Sequence, residues 1–351
     1  MDDIRSDPQL DFHRRLSEQD LAALWVARRG VDLSKPRSDA KPKAWRYDDV
    51  RPRIMEAGDL VRAEDAFRRV IVLENPAYAG EMRATNTLYA GLQLVLPGEI
   101  APCHRHTQTA VRFVIEGEGA YTSVDGERTR LHPGDFVVTP SWSWHDHGNQ
   151  STQPVVWLDC LDTPLVGFLD TAFRETYPDL TFPVLKPDDD AQARYGANML
   201  PVGHVPQRLA SAVMNYSYKS ARAVLAQLAP TAARDPADGL RMRYSDPATG
   251  GWPSPTIGAF LQYLPRGFSG AEARMTDSTI YVCVEGRGRT VVDGVQLAWG
   301  PHDVFVVPGW LPYRHEATDD AILFSLSDRP VQEALGLWRE EKVRIMCPQS
   351  N

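Results

Sequence analysis

Residues 98–149 read GEIAPCHRHTQTAVRFVIEGEGAYTSVDGERTRLHPGDFVVTPSWSWHDHGN. Four of the nine histidines of the chain stand here as two His-X-His pairs, His104/His106 and His145/His147. Residues i and i+2 of a β-strand face the same side, so each pair directs two imidazoles the same way. We therefore predict a metal site that is held on β-strands.

The surroundings of these histidines have the pattern of a β-fold. Apolar and polar residues alternate in short segments, and Asp125-Gly126 between two of them is a strong signal for a two-residue hairpin. Glycine and proline turns separate the segments, and no helical pattern lies between them. Many short strands of this kind are typical of a β-sandwich or a jelly-roll barrel.

A second β-block repeats the first. The string YVCVEGRGRTVVDGVQLAWGPHDVFVVPGWLPYRHEA aligns with FVIEGEGAYTSVDGERTRLHPGDFVVTPSWSWHDHGN with a one-residue gap, which indicates an internal duplication. The copy keeps one histidine of four: opposite His104, His106, His145 and His147 stand Ala273, Met275, Tyr313 and His315. We assign metal chemistry to the first half only.

We therefore predict an all-β core of two jelly-roll barrels with a helical N-terminal arm and a helical linker. The boundaries are 1–66 for the arm and linker, 67–165 for the metal-binding barrel 1, 166–250 for the helical linker, 251–330 for the ligand-free barrel 2, and 331–351 for the tail. Within the arm we expect one amphipathic helix that Ser17 caps and Gly30 ends, after about 13 loose residues.

Composition excludes several classes of partner. A net charge of −8 without a basic cluster argues against a nucleic acid. There is no signal peptide and no long apolar run, so we expect a cytoplasmic protein without a membrane partner. The four cysteines are scattered, which fits a reducing compartment; they are Cys103, Cys160, Cys283 and Cys347.

The two histidine motifs resemble those of the cupin superfamily. They are Gly98-(X)5-His104-X-His106-(X)10-Gly117 and Gly134-(X)5-Pro140-(X)4-His145-(X)3-Asn149. Two such units in one chain make a bicupin. The sequence departs from the usual motifs at two places: Ala110 stands where a glutamate is usual, and Trp142 where a glycine is usual.

Together with Ala110, the strings HRHTQTAVRFVIEGEG and PSWSWHDHGN resemble the gentisate 1,2-dioxygenase family and its salicylate and 1-hydroxy-2-naphthoate relatives. The resemblance runs from Trp45 to Trp338. It implies Fe(II), a homo-oligomer that is commonly a tetramer, and conversion of gentisate and O2 to maleylpyruvate. It further implies an acid/base role for His147 and a substrate pocket that is lined by Arg68, Tyr89, Gly91 and Gln93.

The metal argument also stands without the resemblance. His104, His106 and His145 offer three neutral nitrogen ligands, which suit iron, zinc, copper or nickel and leave coordination positions open. Without the carboxylate that Ala110 replaces, the ligands do not neutralise a divalent ion. An aromatic acid with an ortho-hydroxyl group supplies two negative charges and a chelate ring, so we expect such an acid as substrate.

Three further residues are predicted to support the site. Arg112 lies six residues beyond His106 and faces the same interior by parity, where its fork suits a substrate carboxylate. His147 could be a fourth ligand, a base or a hydrogen-bond donor. Asp159 is predicted to orient that imidazole.

Other functions remain open at this stage. The substrate could instead be salicylate or 1-hydroxy-2-naphthoate. Three histidines also suit a zinc cupin that acts as a hydrolase, lyase or isomerase. A non-catalytic bicupin for binding or storage is the remaining alternative.

Overall fold

The computed structural model describes residues 7–27, 34–66, 68–197, 199–205 and 211–342. Phe67, the predicted start of barrel 1, lies outside these residues, as do Cys347 and the end of the predicted tail. The chain forms two compact units, residues 1–37 and residues 38–351.

The first unit contains α1 (Pro8–Ser17) and α2 (Leu24–Ala27). The prediction of one helix capped by Ser17 is wrong, because Ser17 ends α1 instead. Asp7 caps α1 by accepting a hydrogen bond from the Gln9 amide at 2.9 Å. Pro8 follows at the first helical turn, where its fixed φ and missing N–H cost nothing. Gly30, the predicted end of the helix, lies outside the described residues.

The second unit is mostly β-structure. Its helices are α3 (Tyr47–Leu60), α4 (Ala63–Ala66), α5 (Thr163–Phe168), α6 (Asp190–Tyr195), α7 (Tyr218–Leu228) and α8 (Arg329–Ala334). Its strands are β1 (Lys43–Trp45), β2 (Val70–Val72), β3 (Tyr89–Val95), β4 (Ile100–His106), β5 (Ala110–Glu116), β6 (Ala120–Val124), β7 (Glu127–Arg130), β8 (Phe136–Thr139), β9 (His145–Asn149), β10 (Val155–Leu161), β11 (Arg174–Thr176), β12 (Asn215–Tyr216), β13 (Leu240–Arg243), β14 (Gly258–Leu264), β15 (Ala273–Met275), β16 (Thr279–Glu285), β17 (Gly288–Val292), β18 (Val295–Trp299), β19 (Val304–Val307), β20 (Tyr313–Ala317), β21 (Ala321–Ser327) and β22 (Glu340–Lys342). No helix of the described ranges is long and apolar enough to span a bilayer.

These strands form two double-sheet barrels, which confirms the predicted all-β core. The first barrel consists of a sheet in the order β12-β8-β5-β10-β3-β2 and a sheet in the order β11-β4-β9-β6-β7. The second consists of β1-β19-β16-β21-β14-β13 and β18-β17-β20-β15-β22. Between the predicted barrels, α6 and α7 are helical as expected. The short strands β11, β12 and β13 were missed, and each extends a barrel sheet.

Strand register confirms the duplication residue by residue. In barrel 1 His104 is paired with His145 across β4 and β9, and in barrel 2 Ala273 is paired with Tyr313 across β15 and β20. The one histidine position that both copies keep also has equivalent partners: Thr122 is paired with His147, and Thr290 with His315. The alignment that assigned the histidines to one barrel therefore holds in three dimensions.

The two barrels share one hydrophobic core. Residues of one parity on β3, β5 and β10 belong to the same buried cluster as residues of β14, β16 and β21. At its centre the rings of Phe113 and Phe324 stack, with centroids 4.1 Å apart. Both side chains are at most 2% exposed. This packing fixes the six-stranded sheet of barrel 1 against the equivalent sheet of barrel 2.

We expect Phe324→Ala to lower the free energy of unfolding by about 3–5 kcal/mol, because it leaves a cavity in the core shared by the barrels. Leu335→Ala is the control, since Leu335 is 66% exposed and its truncation should cost less than about 0.5 kcal/mol. Urea unfolding followed by tryptophan fluorescence measures both. Equal losses for the two variants would show that the stacked rings do not join the barrels.

Candidate metal centre and its cavity

Three histidines meet on two adjacent strands of barrel 1. His104 and His106 lie on β4, and His145 lies opposite His104 on β9. One ring nitrogen from each lies within 4.8 Å of the others. The ring centroids are 4.3 to 5.2 Å apart. The three predicted ligands are thus in place for a single ion.

Backbone carbonyls fix the orientation of all three rings. Each Nδ1 lies within hydrogen-bond distance of a carbonyl oxygen two residues away, at 3.1, 2.9 and 2.9 Å. The carbonyls that face His104, His106 and His145 belong to Pro102, Gln108 and Ser143 respectively. At His106 and His145, Nδ1–H can donate to the carbonyl, which leaves the Nε2 lone pair for a metal. His104 Nδ1 also lies 2.8 Å from Arg68 Nη2. The Nε2 atom of His145 is buried and has no hydrogen-bond partner among the described residues.

Burial also keeps these imidazoles neutral. Desolvation lowers the pKa of His104 to about 2 and that of His106 to about 4. Burial lowers the pKa of His145 well below its usual value, and the neighbouring His104 and His106 add to the effect. A metal needs unprotonated imidazole, so protons do not compete for this site near neutral pH. The donor set therefore fits a divalent first-row ion that prefers nitrogen.

The three histidines lie at the wall of a cavity of about 760 Å³. Five of the other residues predicted for the site also line this cavity: Arg68, Tyr89, Gln93, Arg112 and Asp159. Ala110, fully buried at the start of β5, supplies no charge where the usual cupin motif has a carboxylate. A cavity of this size accommodates a single substituted aromatic ring.

Two of the guanidinium groups that line the cavity belong to Arg112, which is buried, and to Arg68, which is partly buried. Arg112 Nε lies 2.9 Å from Asp159 Oδ1, and its Nη1 donates to Thr139 Oγ1 at 2.6 Å. Arg68 Nη2 donates to the Pro102 carbonyl at 2.9 Å, the carbonyl that also faces His104. Burial and the nearby Arg112 charge lower the pKa of Arg68 to about 9. The residues that line the cavity include four arginines and two carboxylates, so the site is positive and favours an anionic ligand.

Two predicted site residues lie behind this wall. Gly91 is not among the lining residues, and a Cβ there would lie 2.5 Å from Val70 Cγ1. His147 is fully buried beside His145, with ring centroids 5.7 Å apart, and does not line the cavity. Gly91 thus permits Val70 and Tyr89 to approach each other closely. His147 lies behind His145, the predicted metal ligand, as seen from the cavity.

The predicted contact between Asp159 and His147 is not formed. Thr122 Oγ1 lies 3.0 Å from His147 Nδ1, while Asp159 pairs with Arg112 across β5 and β10. The reason is register, because Asp159 is directly opposite Arg112 in the sheet, whereas His147 lies on the other sheet of the barrel. His147 Nε2 has no hydrogen-bond partner within the described ranges.

Part of the cavity wall was missed in the sequence. Thr163, Pro164 and Phe168 of α5 line it, as do Ala172 and Phe173 just beyond. The sequence places this segment at the junction of barrel 1 and the linker, and its pattern is that of an ordinary short helix. Its only positional signal is that it follows β10, which carries Asp159.

Trp142 and Trp144 flank Ser143 just before β9. The indole of Trp142 packs on Phe173, with ring centroids 4.5 Å apart, and the backbone N–H of Trp142 donates to the His106 carbonyl at 2.8 Å. Trp144 packs on Tyr177 at 5.1 Å. Neither lines the cavity. They act as packing residues behind β4 and β9.

Comparisons with known proteins agree with this geometry. A family model described as "Cupin domain" matches residues 91–161. Gentisate 1,2 dioxygenase 1 of Aquipseudomonas alcaligenes is 47% identical over 332 residues, which cover 95% of this chain and 96% of that protein. The chain belongs to the gentisate 1,2-dioxygenase family. 5-Aminosalicylate 1,2-dioxygenase of a Comamonas species is 37% identical over 94% of this chain and 89% of that relative.

A solved structure within the same group shows the same fold. Salicylate 1,2-dioxygenase of Pseudoaminobacter salicylatoxidans, determined as adducts with gentisate, superposes with a TM-score of 0.90. It is 30% identical, and the match covers 97% of this chain and 96% of that chain. The bicupin architecture predicted from the sequence is therefore that of a ring-cleaving dioxygenase family.

We expect His145→Leu to abolish metal binding and His147→Leu to retain about one ion per chain, because only three imidazoles converge on one point. The two variants are matched, since both remove a fully buried imidazole from β9. Elemental analysis after loading with Fe(II) under anaerobic conditions measures both. Loss of metal from His147→Leu with an intact fold by circular dichroism would make His147 a fourth ligand.

Proposed function

We propose that this protein is an Fe(II)-dependent gentisate 1,2-dioxygenase. It opens the ring of gentisate between the carbon that bears the carboxylate and the adjacent hydroxylated carbon. Both atoms of O2 enter the product, maleylpyruvate, and no external reductant is consumed. The observation that carries the proposal is the neutral three-histidine centre at the wall of a cavity that is also lined by Arg112 and Arg68.

Iron is the metal that fits both the donor set and the family. His104, His106 and His145 would hold it through Nε2. Bound Fe(II) would supply the electron transfer between the aromatic ring and O2 that a closed-shell side chain cannot supply. Zinc suits the same donors, but it has no redox chemistry and would leave the dioxygenase relatives unexplained.

Arg112 and Arg68 are proposed to bind the substrate carboxylate. The Arg112 fork is held by Asp159 and Thr139, so it is oriented before a ligand arrives. An anion also relieves the repulsion between the two guanidiniums that lowers the pKa of Arg68. Carboxylate binding would fix the ring with its ortho-hydroxyl group toward the histidines.

Tyr89, Gln93 and Gly91 are proposed to position the ring. Burial raises the pKa of the Tyr89 phenol, so it remains a hydrogen-bond donor for a ring substituent. Gln93 is 2% exposed and offers an amide to the same cavity. Gly91 contributes the space between Tyr89 and Val70 that a side chain would fill.

His147 is proposed to hold or move a proton at Nε2. Burial and the charge of Arg112 lower the pKa of this imidazole, so it is a neutral base at pH 7. Its Nδ1 contact with Thr122 fixes the ring in one orientation. Asp159 is proposed to act through Arg112, whose charge it balances, rather than through His147.

The assembly and location remain predictions. The family resemblance implies a homo-oligomer, commonly a tetramer, which light scattering on the purified protein tests. We also keep the predicted segments 67–165 and 251–330 as the metal-binding and ligand-free barrels, and we propose a cytoplasmic location. The described cysteines Cys103, Cys160 and Cys283 are buried free thiols, consistent with a reducing compartment.

We expect oxygen uptake when gentisate is added to protein loaded anaerobically with Fe(II), with one O2 consumed for each ring-opened product. Absorbance of the ring-opened keto acid is followed in the same cuvette as the oxygen trace. Zinc-loaded protein is the control and should consume no oxygen, because its metal cannot transfer electrons.

Salicylate and 1-hydroxy-2-naphthoate are compared in the same assay. Both keep the carboxylate and the ortho-hydroxyl group but lack the para-hydroxyl group that makes gentisate an easier electron donor. If either acid is turned over faster than gentisate, that acid and not gentisate is the preferred substrate. No uptake with any of the three acids, from protein with confirmed iron, would overturn the dioxygenase proposal.

We expect Arg112→Lys to lower kcat/KM for gentisate about 10- to 100-fold, because an ammonium keeps the charge but loses the bidentate fork. Steady-state oxygen uptake measures it. Arg130→Lys, on an exposed position of β7, is the control and should retain the wild-type value. An unchanged kcat/KM in Arg112→Lys would move carboxylate binding to Arg68.

A further inference from the structure

Two buried aspartates follow equivalent strands of the two barrels. Asp162 follows β10 and precedes α5, and Asp328 follows β21 and precedes α8. Each carboxylate is 2% exposed. Each accepts a hydrogen bond from a threonine of the opposite barrel, so the barrels exchange the same contact in both directions.

The distances of the two contacts are closely similar. Thr256 Oγ1 of barrel 2 donates to Asp162 Oδ2 at 2.6 Å, and Thr87 Oγ1 of barrel 1 donates to Asp328 Oδ2 at 2.8 Å. Both threonines are partly buried. The hydrophobic contacts between the barrels are thus supplemented at two equivalent positions by a hydroxyl–carboxylate hydrogen bond.

The second oxygen of each carboxylate holds the backbone at the start of a strand. Asp162 Oδ1 accepts from the Thr109 amide at 2.9 Å, and Asp328 Oδ1 accepts from the Ser278 amide at 2.9 Å. Thr109 immediately precedes β5, and Ser278 immediately precedes β16. Each carboxylate therefore connects a threonine of one barrel with a loop of the other.

Only one of these loops belongs to the metal centre. The residue before Thr109 is Gln108, whose carbonyl faces His106 Nδ1 at 2.9 Å. Helix α5, which starts directly after Asp162, supplies Thr163, Pro164 and Phe168 to the cavity. In barrel 2 the corresponding loop carries no metal ligand, because Met275 stands in place of His106.

We propose that Thr256 and Asp162 are positioning residues through which the ligand-free barrel holds the metal centre of the other barrel. The hydroxyl of Thr256 fixes the carboxylate of Asp162, which fixes the amide of Thr109. That loop presents the Gln108 carbonyl, which sets the ring of His106. The inference rests on the three-histidine centre of the proposed function and extends it to the second barrel.

The pseudo-symmetry provides a matched control. Thr256→Val and Thr87→Val each remove one hydroxyl from one partly buried threonine that donates to a buried aspartate. Asp328 Oδ2 keeps a second donor, the side-chain amide of Gln332 at 3.2 Å. Both variants should lose stability to urea, and the loss in Thr87→Val should be no larger than that in Thr256→Val. We expect Thr256→Val to raise the Fe(II) dissociation constant about 10-fold, at the low end of the effects known for outer-shell groups, and Thr87→Val to change it less than about twofold.

Competition with a chromophoric chelator measures the dissociation constant without gentisate. The d–d bands of the Co(II)-substituted protein give a second readout, which should shift in Thr256→Val and not in Thr87→Val. Thr256→Ser keeps the hydroxyl and should restore both values. If a valine variant does not fold, the cysteine variants at the same two positions replace the pair.

Equal metal affinity in both valine variants, whether unchanged or weakened alike, would overturn the proposal. That result would mean that the two contacts serve the barrel interface only. A wild-type protein that binds Fe(II) but does not turn over gentisate would sink the proposed function and leave this comparison valid. If the wild type binds no Fe(II), the same comparison is made with Zn(II), which the same imidazoles can hold.

Discussion

Strands β3, β5 and β10 of the first barrel are buried on both faces, so each of their residues faces either the core shared with the second barrel or the interior of the first. One parity packs against the second barrel, with Phe113 at the centre of a shared core. The other parity includes Tyr89, Arg112 and Asp159 and faces the cavity. A shift of register by one residue would place guanidinium and carboxylate groups in the core between the barrels. The hydrophobic face therefore determines where the polar face points.

The cavity holds more positive than negative charge. Its imidazoles are kept neutral by desolvation, and Asp159 balances only one of the two guanidiniums. A divalent ion at the histidines adds further positive charge, because Ala110 replaces the usual carboxylate. A ligand with a carboxylate and a phenolate completes this balance without any change in the protein. The missing glutamate and the two arginines, Arg112 and Arg68, are thus two parts of the same electrostatic requirement.

Local alternation was sufficient to predict the parts of the site that lie on strands. His104, His106, His145 and Arg112 follow from a period of two and from the spacing of the motifs. Asp159 lines the cavity, but it pairs with Arg112 and not with the predicted His147, because the pairing of β5 with β10 depends on a register that no single strand contains. The wall formed by α5 was missed for a similar reason. Its residues reach the cavity through the path of the chain after β10, which hydrophobic periodicity does not encode.

The described residues of barrel 2 show why a duplicated unit without ligands remains stable. Tyr313, at the place of the third ligand, donates to Asp238 at 3.0 Å, and Lys342 lies 3.2 Å from the other oxygen of the same carboxylate. This interior therefore contains its own anion and cation, whereas barrel 1 presents neutral nitrogens that gain from an added cation. A buried charge is tolerated only when it is paired, and the two barrels meet this requirement differently. Barrel 2 pairs its buried charges with its own side chains, whereas barrel 1 needs a metal and an acidic substrate to pair the charges of its cavity.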